Sequence, residues 1–273
     1  MEHRKIAFIG AGNMTKSIVS GLVNNAYPAQ CITASNPSVA KLNALQDDFG
    51  INVTQNNNQA LNAADVIVLA VKPQLMHSMC AKLAAENNLT NKLFVSIAAG
   101  ISSATLQQML GGNYAVVRTM PNTPSAIGKG MTGLFADTSV TTLDKQYAAD
   151  LMRQVGEIVW VAQESMIDGV IAAAGSSPAY FFLFLEAMQK EAQRQGFDKT
   201  TARTMVQQAM LGAAEVVCHN PQLELSELRT QVTSKGGTTA KAIESFQQQG
   251  LEQIVATAMQ AAVKRASEMA QQF

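Results

Sequence analysis

The fold of this chain is decided by the stretch Lys5-Ile6-Ala7-Phe8-Ile9-Gly10-Ala11-Gly12-Asn13-Met14-Thr15. A short apolar run, typical of a buried strand, leads through two glycines into a segment whose apolar residues recur at helical spacing. Gly10 permits a tight turn and Gly12 lets the backbone approach a ligand, so the stretch predicts a dinucleotide-binding loop. A pyrophosphate would lie at the amino end of the helix, where unpaired N–H groups favour anions. A tight turn without a ligand is the alternative.

The residues that follow alternate strand-like runs with amphipathic helical stretches as far as about residue 161. This alternation predicts βαβ units and an α/β fold, with an N-terminal Rossmann doubly wound parallel sheet. The predicted strands are Lys5–Ile9, Cys31–Ala34, Val66–Ala70, Leu93–Ile97, Tyr114–Thr119 and Ile158–Val161. We therefore predict a dinucleotide-binding Rossmann domain over residues 1–161.

Residues 162–273 lose the strand signal and become rich in alanine and methionine at helical spacing, which predicts an all-α C-terminal domain. The apolar stripe of the last helix comprises Leu251, Ile254, Val255, Ala258, Met259, Ala262, Val263, Ala266 and Met269. We expect helical breaks at Gly175, at Gly196, around Asn220-Pro221 and at Gly236-Gly237. Small-residue faces can pack against a second subunit, so an intertwined homodimer is favoured. A self-contained helical bundle on a monomer is the alternative.

Composition narrows the class of function. The chain has 273 residues, 47% of them hydrophobic, and 20 basic residues balance 20 acidic ones. The charge pattern predicts neither a nucleic-acid partner nor a membrane surface, and no apolar stretch suggests a membrane span. The three cysteines and three histidines lack metal-ligand spacing, so no metal site is predicted and a reducing cytoplasmic location is expected. These observations favour chemistry on a small-molecule substrate.

The ends of the predicted strands supply the candidate cofactor site, because open α/β sheets bind ligands at that edge. Ser35 and Asn36 stand where an NAD-selective site would place an acidic residue on the ribose. Together with Ser38 and Asn57, and with Lys41 nearby, they can donate hydrogen bonds to a 2′-phosphate, which favours NADPH and leaves NADH as an alternative. The predicted cofactor-binding residues are Ile9, Gly10, Ala11, Gly12, Asn13, Met14, Ser35, Asn36, Asn57, Ala70, Val71, Lys72, Pro73 and Asn122.

A second unusual segment, Val232-Thr233-Ser234-Lys235-Gly236-Gly237-Thr238-Thr239-Ala240, precedes a predicted helix. Four hydroxyl groups flank two glycines at the amino end of that helix, and backbone N–H groups in such a nest suit a carboxylate. Simple capping of the helix is the alternative, although one cap requires only one such residue.

With these segments in view, the sequence resembles the pyrroline-5-carboxylate reductase family over essentially its whole length. The matching stretches are Phe8 to Met14, Leu69 to Pro73, Ser96 to Gly100, Met120 to Pro124, Gly175 to Tyr180 and Val232 to Thr239. The resemblance implies NAD(P)H-dependent hydride transfer to the C=N carbon of 1-pyrroline-5-carboxylate, giving L-proline in the last step of proline biosynthesis. It also implies a helical dimerisation domain and a larger ring of dimers. This chain departs from the family pattern at Thr15, Ser177 and Lys235.

The resemblance further implies that the loop before the predicted helix binds substrate. The predicted substrate-binding residues are Thr233, Ser234, Gly236, Gly237, Thr238 and Thr239, and Thr239 is the predicted catalytic residue, donating to the imine nitrogen. Hydroxyacid dehydrogenases of similar architecture require a lysine in the first long helix after the Rossmann domain. In the corresponding region of this chain, from Ala172 onward, the first lysine is Lys190, so oxidation of an alcohol is disfavoured. Another imine reductase or oxidoreductase activity and a silent NADP-binding regulatory protein are the remaining alternatives.

Overall fold

The structure of the chain, a computed structural model, describes residues 3–270. Within these residues it contains eight β-strands and twelve α-helices. The strands are β1 Ile6–Ile9, β2 Ile32–Ser35, β3 Asn52–Thr54, β4 Val66–Leu69, β5 Leu93–Ser96, β6 Ala115–Met120, β7 Gly130–Ala136 and β8 Gly156–Trp160. The helices are α1 Asn13–Asn24, α2 Val39–Phe49, α3 Asn57–Asn62, α4 Pro73–Glu86, α5 Ser103–Met109, α6 Thr142–Arg153, α7 Met166–Val170, α8 Ser177–Arg194, α9 Lys199–His219, α10 Leu225–Gln231, α11 Thr238–Gln248 and α12 Leu251–Ala270.

All eight strands form one sheet in the order β3-β2-β1-β4-β5-β6-β7-β8. The first six pair in parallel, which confirms the predicted α/β class and Rossmann-type sheet. Chain direction reverses at β7, which is antiparallel to β6 and parallel to β8. Ile9 is in register with Ser35 on one side and Leu69 on the other, so β1, β2 and β4 end at the same edge. The loops expected to bind the cofactor leave the sheet from that edge.

Helices cover both faces of the sheet because its strands are apolar on both faces. Along β1 the side chains alternate, so Ile6 and Phe8 belong to one hydrophobic cluster and Ala7 and Ile9 to the other. All four are fully buried. Burial of each large apolar side chain contributes roughly 1.5–3 kcal/mol, so the sheet interior is the main source of stability for the edge that holds the site.

Two strands were missing from the sequence prediction, β3 and β7. β3 is only three residues long, and Asn52 begins it without a preceding apolar run. β7 contains Gly130 and Gly133, and glycine lowers intrinsic strand preference. Both strands are held by pairing with neighbours that lie far away in sequence, so local propensity does not reveal them. The antiparallel β7 also corrects the expectation of an entirely parallel sheet.

The helix boundaries follow from local chemistry. Pro73 occupies the first turn of α4, where a missing N–H costs nothing. The Asp198 side chain accepts from the backbone N–H groups of Thr200 and Thr201 at 2.9 and 3.0 Å and starts α9. Gly50 ends α2 in the left-handed conformation. The expected breaks near Gly196 and Asn220-Pro221 are confirmed, since α8, α9 and α10 are separated there.

The chain divides into two compact units. The first consists of Met1–Pro178 with Ala261–Phe273, and the second is Ala179–Gln260. In the second unit, which is helical, only Ala202, Val206 and Leu228 are buried among the described residues. Its exposed large apolar side chains are Phe181, Phe182, Leu183, Phe184, Met188, Phe197, Met205, Leu211, Val216, Val217, Leu225, Val232, Phe246, Leu251, Ile254 and Val255. An apolar surface of this extent is typical of an interface with another chain.

One helical run, Met166–Arg194, is long and apolar enough to cross a bilayer on length and composition alone. This differs from the expectation that no stretch of the sequence would reach that length. A mostly exposed apolar helix is also what a subunit interface requires before its partner is bound, so the observation is weak evidence for a membrane.

Candidate functional site

The loop between β1 and α1 has the geometry of an anion cradle. Gly10 has a φ of 119°, and a Cβ atom placed there would collide with the carbonyl group of Ala70. Gly12 caps the helix in extended conformation, no side chain caps the first turn, and a Cβ atom at Gly12 would meet nothing within 4 Å. The first N–H groups of α1 therefore face open space at the edge of the sheet. That arrangement fits the pyrophosphate of a dinucleotide.

Thr15 stands where dinucleotide-binding loops usually carry a smaller residue, and the structure shows how it is accommodated. Its side chain is 1% exposed, and its hydroxyl donates a hydrogen bond of 2.8 Å to the carbonyl oxygen of Gly10. The hydroxyl is thus satisfied internally and stabilises the turn. The departure from the usual pattern leaves the cradle open.

Backbone hydrogen bonds join the predicted cofactor residues of β1, β2 and β4. The Gly10 N–H donates to the Ser35 carbonyl at 2.8 Å, and the Ala70 N–H donates to the Ile9 carbonyl at 2.9 Å. The Ala11 N–H donates to the side-chain oxygen of Asn36 at 3.3 Å. The glycine loop is therefore braced from both neighbouring strands.

Asn57 extends this edge toward β3. The buried Ser35 hydroxyl donates to the Asn57 side-chain oxygen at 2.6 Å, which leaves the Asn57 amide group as a donor. The structure thus brings Ser35, Asn36 and Asn57 together at the end of β2, but the fully buried Ser35 hydroxyl commits its proton to Asn57 and does not donate to a ligand as predicted. Lys72 follows β4 as the N-cap residue of α4 and is exposed, and Asn13 and Met14 open α1.

Asn122 has its side chain committed to other protein groups. Its amide oxygen accepts from the Met131 N–H at 2.9 Å, and its amide nitrogen donates to the Ala174 carbonyl at 3.0 Å. Ala174 lies in a π-helical turn, Ile171–Gly175, which precedes α8. The Asn122 side chain therefore positions the loop after β6, and only its backbone remains available to a cofactor.

An ion cluster below this loop was not anticipated from the sequence. The Arg118 side chain is 7% exposed, and its guanidinium group lies 3.3 Å from a Glu164 oxygen and 3.8 Å from an Asp168 oxygen. Glu164 also accepts from the Ser103 N–H at 2.7 Å, at the start of α5. The cluster joins β6, α5 and α7 beside the carboxyl edge. Single charged residues far apart in sequence gave no spacing from which to predict it.

The predicted substrate segment lies in the second unit, between α10 and α11. The backbone turns at Gly236, whose φ is 75°, and Gly237 begins α11 without any side-chain cap. The N–H groups of the first turn, including those of Thr238 and Thr239, consequently have no intrahelical partners. The structure therefore brings the predicted glycines and hydroxyl groups together around one open helix end.

The hydroxyl groups of this segment differ in availability. The Thr233 hydroxyl donates a hydrogen bond of 2.6 Å to the Arg229 carbonyl oxygen, near the end of α10. Its oxygen can therefore only accept a hydrogen bond from a ligand. Ser234 accepts, through its carbonyl group, the Gly237 N–H at 3.0 Å, which closes the turn. Thr239 is exposed at the second position of α11. The simple-cap alternative for the Thr238 and Thr239 hydroxyls is not what the structure shows, because neither caps the helix.

Across residues 3–270, no three His, Cys, Asp or Glu side chains converge in a way that could hold a metal ion. The glycine loop of the first unit and the α11 segment of the second unit each present neutral donors, backbone N–H groups and a lysine, Lys72 or Lys235. Such groups bind anions and polarise a substrate by hydrogen bonding.

Sequence comparisons identify relatives over the full chain. A family model described as pyrroline-5-carboxylate reductase dimerisation matches residues 164–269, so this helical region is an oligomerisation region of that family. A model described as NADP oxidoreductase, coenzyme F420-dependent, matches residues 5–100. The pyrroline-5-carboxylate reductase of Vibrio alginolyticus is 60% identical over 273 residues, which is 100% of both chains.

Solved structures agree with the sequence relatives. A pyrroline-5-carboxylate reductase from Coxiella burnetii has a TM-score of 0.91 at 40% identity, covering 98% of this chain and 99% of that one. The Plasmodium falciparum pyrroline carboxylate reductase, solved with NADP bound, has a TM-score of 0.88 at 27% identity, covering 99% of both chains. The resemblance seen in the sequence is thereby confirmed, and the chain belongs to the pyrroline-5-carboxylate reductase family.

Proposed function

We propose that this protein is an NADPH-dependent pyrroline-5-carboxylate reductase, which reduces the C=N bond of 1-pyrroline-5-carboxylate to give L-proline, the last step of proline biosynthesis. The observation that carries the proposal is 60% identity over the whole length to a relative of that name. The open glycine cradle and the open amino end of α11 are consistent with it, since the two substrates present a pyrophosphate and a carboxylate.

The cofactor is NADPH, with NADH as a weaker alternative, and it supplies the hydride when bound. The P. falciparum relative is solved with NADP bound. Backbone N–H groups at the amino end of α1 hold the pyrophosphate. The cofactor contacts come from Ile9 to Met14, from Ser35, Asn36 and Asn57, from Ala70 to Pro73, and from the backbone of Asn122.

The substrate site is formed by the segment Thr233 to Thr239. N–H groups of the first turn of α11, with the Ser234 and Thr238 hydroxyls, bind the carboxylate, and Gly236 and Gly237 give it close access to the backbone. The Thr239 hydroxyl donates to the ring nitrogen and makes the neighbouring carbon more electrophilic. Thr233 accepts rather than donates, because its proton is held by Arg229.

The reaction requires no strong base in the protein, because the imine carbon accepts a hydride, the ring nitrogen takes up a proton from solvent water, and no proton is removed from the substrate. The chain contributes orientation and hydrogen bonds that strengthen as charge develops at nitrogen. Removal of one such donor typically lowers turnover by roughly 10²–10³-fold. Neutral donors at α11 are sufficient for this role.

The assembly we propose is a homodimer built through residues 164–269, with dimers associating into a larger ring, in the cytoplasm. The dimerisation region of the family covers those residues. We propose that residues 1–161 form the NADP-binding domain and that residues 162–273 form the substrate-binding and dimerisation domain.

The test is NADPH oxidation followed by absorbance, with purified protein and 1-pyrroline-5-carboxylate, and with NADH in parallel. We expect rapid oxidation with NADPH and formation of proline in equal amount. Oxidation with other cyclic imines but not with this substrate would replace the assignment by another imine reductase activity. Binding of NADPH without oxidation of it would favour a silent NADP-binding protein.

A further inference from the structure

A cavity of about 720 Å³ opens beside the proposed cofactor site, between α3 and α4. It is lined on one side by the turn from β3 into α3, Thr54 to Asn58, and on the other by Ser78, Met79, Lys82, Leu83 and Glu86 of α4. Its walls are mostly polar, and one side chain, Asn57, also belongs to the predicted cofactor site. Asn57 therefore both lines the cavity and contacts Ser35 at the end of β2.

Hydrogen bonds fix the two helices that form the cavity. Asn58 donates through its amide group to the Glu86 carboxylate, and Asn87 donates to the Asn58 amide oxygen at 2.8 Å. Asn62 donates to the Asn87 amide oxygen at 2.9 Å. These contacts place the start of α3 against the carboxyl end of α4, so the cavity has rigid walls.

The position of Lys82 follows from this packing. α4 starts at the carboxyl edge of the sheet, after β4, and Lys82 lies one helical turn closer to that edge than Glu86. Lys82 and Asn57 therefore line the same cavity. Its side chain is exposed, and within residues 3–270 no carboxylate forms an ion pair with it. Glu86, in the same cavity, is engaged by Asn58.

The end of β2 needs such a charge if it is to bind a 2′-phosphate. Ser35, Asn36 and Asn57 are neutral and no arginine stands at this strand end, so the nearby cations are Lys41, in the first turn of α2 and outside the cavity, and Lys82, inside it. A phosphate group carries up to two negative charges, and its recognition in proteins normally includes a cation. The Asn57 amide group, which is free to donate to such a phosphate, belongs to a side chain that lines the cavity that holds Lys82.

We propose that Lys82 is a specificity-determining residue that binds the 2′-phosphate of NADPH and so discriminates NADPH from NADH. The cavity between α3 and α4 receives the phosphate, with Asn57 donating from one wall and Lys82 supplying the charge from the other. This inference rests on the proposed function, because it concerns the cofactor of the same reaction. It assigns a role to a residue outside the glycine loop and outside the end of β2.

The first test measures binding without turnover. Titration calorimetry compares 2′,5′-ADP, which carries the 2′-phosphate, with 5′-AMP, which lacks it, on the wild-type protein, Lys82→Gln, Lys82→Arg and Lys41→Gln. We expect Lys82→Gln to weaken 2′,5′-ADP roughly ten- to hundredfold, as for a lost charge-assisted hydrogen bond, and to leave 5′-AMP unchanged. Lys82→Arg should retain most of the affinity. Lys41, an exposed lysine in the first turn of α2 that does not line the cavity, is the competing cation, and Lys41→Gln tests whether it binds the phosphate instead.

The second test is kinetic. Lys82→Gln should raise the KM for NADPH by a similar factor, leave the KM for NADH and both kcat values unchanged, and lose part of the salt dependence of NADPH binding. The proposal is overturned if Lys82→Gln weakens 2′,5′-ADP and 5′-AMP equally, or neither. It is also overturned if Lys41→Gln produces the selective loss instead. Failure of the reductase assignment would appear separately, as wild-type protein that binds 2′,5′-ADP but oxidises neither cofactor.

Discussion

The two glycines of the cofactor loop serve different purposes, and matched substitutions should separate them. Gly10→Ala forces an alanine to a φ of 119° and drives its Cβ into the Ala70 carbonyl, so we expect the free energy of unfolding to fall by more than about 2 kcal/mol. Gly12→Val places its side chain in open space and should leave stability nearly unchanged while abolishing NADPH binding. Urea unfolding and calorimetry measure both. Equal destabilisation by the two changes would contradict these separate roles.

The Thr239 hydroxyl is the donor on which the proposed chemistry depends most directly. Thr239→Ala should lower kcat/KM for the imine roughly 10²–10³-fold, with NADPH affinity unchanged, because the donor acts on the ring nitrogen. Thr239→Ser keeps the hydroxyl and should retain most of the activity. If both variants turn over like the wild-type protein in steady-state kinetics, Thr239 has no catalytic role.

Cys80, on α4, provides a pH-dependent probe of the Rossmann-type core. Burial raises the pKa of its thiol to about 12, from an ordinary value of 9.0. The contribution of this group to stability is therefore complete below about pH 9 and is lost as the pH rises toward 12. At about pH 8 the thiolate is scarce, so iodoacetamide should modify Cys80 only after unfolding in urea. Mass spectrometry locates the label, and rapid native labelling of Cys80 would show that α4 opens readily.

Among the elements, β6, α5 and α7 are held together by the charges around Arg118. Arg118→Met leaves two partly buried carboxylates without their cation, and we expect a loss of about 3–5 kcal/mol of unfolding free energy. Adding Glu164→Gln to Arg118→Met should restore part of it, because one unpaired charge is removed. Arg153→Met, at an exposed pair with Asp150, is the control and should cost less than about 1 kcal/mol. Urea titrations of the wild-type protein, Arg118→Met, Glu164→Gln and the double variant yield the coupling energy, and additive losses would exclude the cluster.

How much of each element the sequence reveals depends on the range of the interactions that form it. β1 and α1 were predictable because the apolar run, the glycines and the helical spacing are all local. β7 was not, because its glycine-containing sequence is held in the sheet by β6 and β8. The last strand was expected to begin at Ile158, but β8 begins at Gly156. Gly156 has a φ of 145°, a conformation that sequence periodicity does not specify.

The same contrast applies to the candidate site. The glycine loop and the segment Thr233 to Thr239 carry their chemistry in consecutive residues, so their composition drew attention to them. Arg118 and Lys82 act through neighbours that only the folded sheet and helices bring close, and each is an ordinary charged residue in the sequence. Asn122 was predictable as a loop residue, but its partners Met131 and Ala174 were not.

For the whole molecule, the two units differ in how much of their apolar surface is buried. The sheet-containing unit has a dense interior on both faces of the sheet, whereas the unit Ala179–Gln260 has three buried side chains among its described residues. A helical unit with so little interior of its own gains its stability from contacts with a partner surface. The family model that matches residues 164–269 is described as a dimerisation region, which supports the proposal that the partner is a second copy.

Dimerisation through this surface should therefore be sensitive to single charges placed in it. Leu183 is 68% exposed and Ile254 is 59% exposed in one chain, so aspartate at either position is tolerated by the monomer but would bury an unpaired carboxylate in the dimer. We expect Leu183→Asp and Ile254→Asp to shift the dimer toward monomer by at least about a hundredfold in dissociation constant. Leu143→Asp is the control, because Leu143 is 76% exposed but lies on α6, outside the dimerisation region. Sedimentation velocity over a range of concentrations measures the equilibrium. If Leu183→Asp and Ile254→Asp both associate as strongly as the wild-type protein, the interface lies elsewhere. If Leu143→Asp dissociates the dimer, the interface involves the sheet-containing unit.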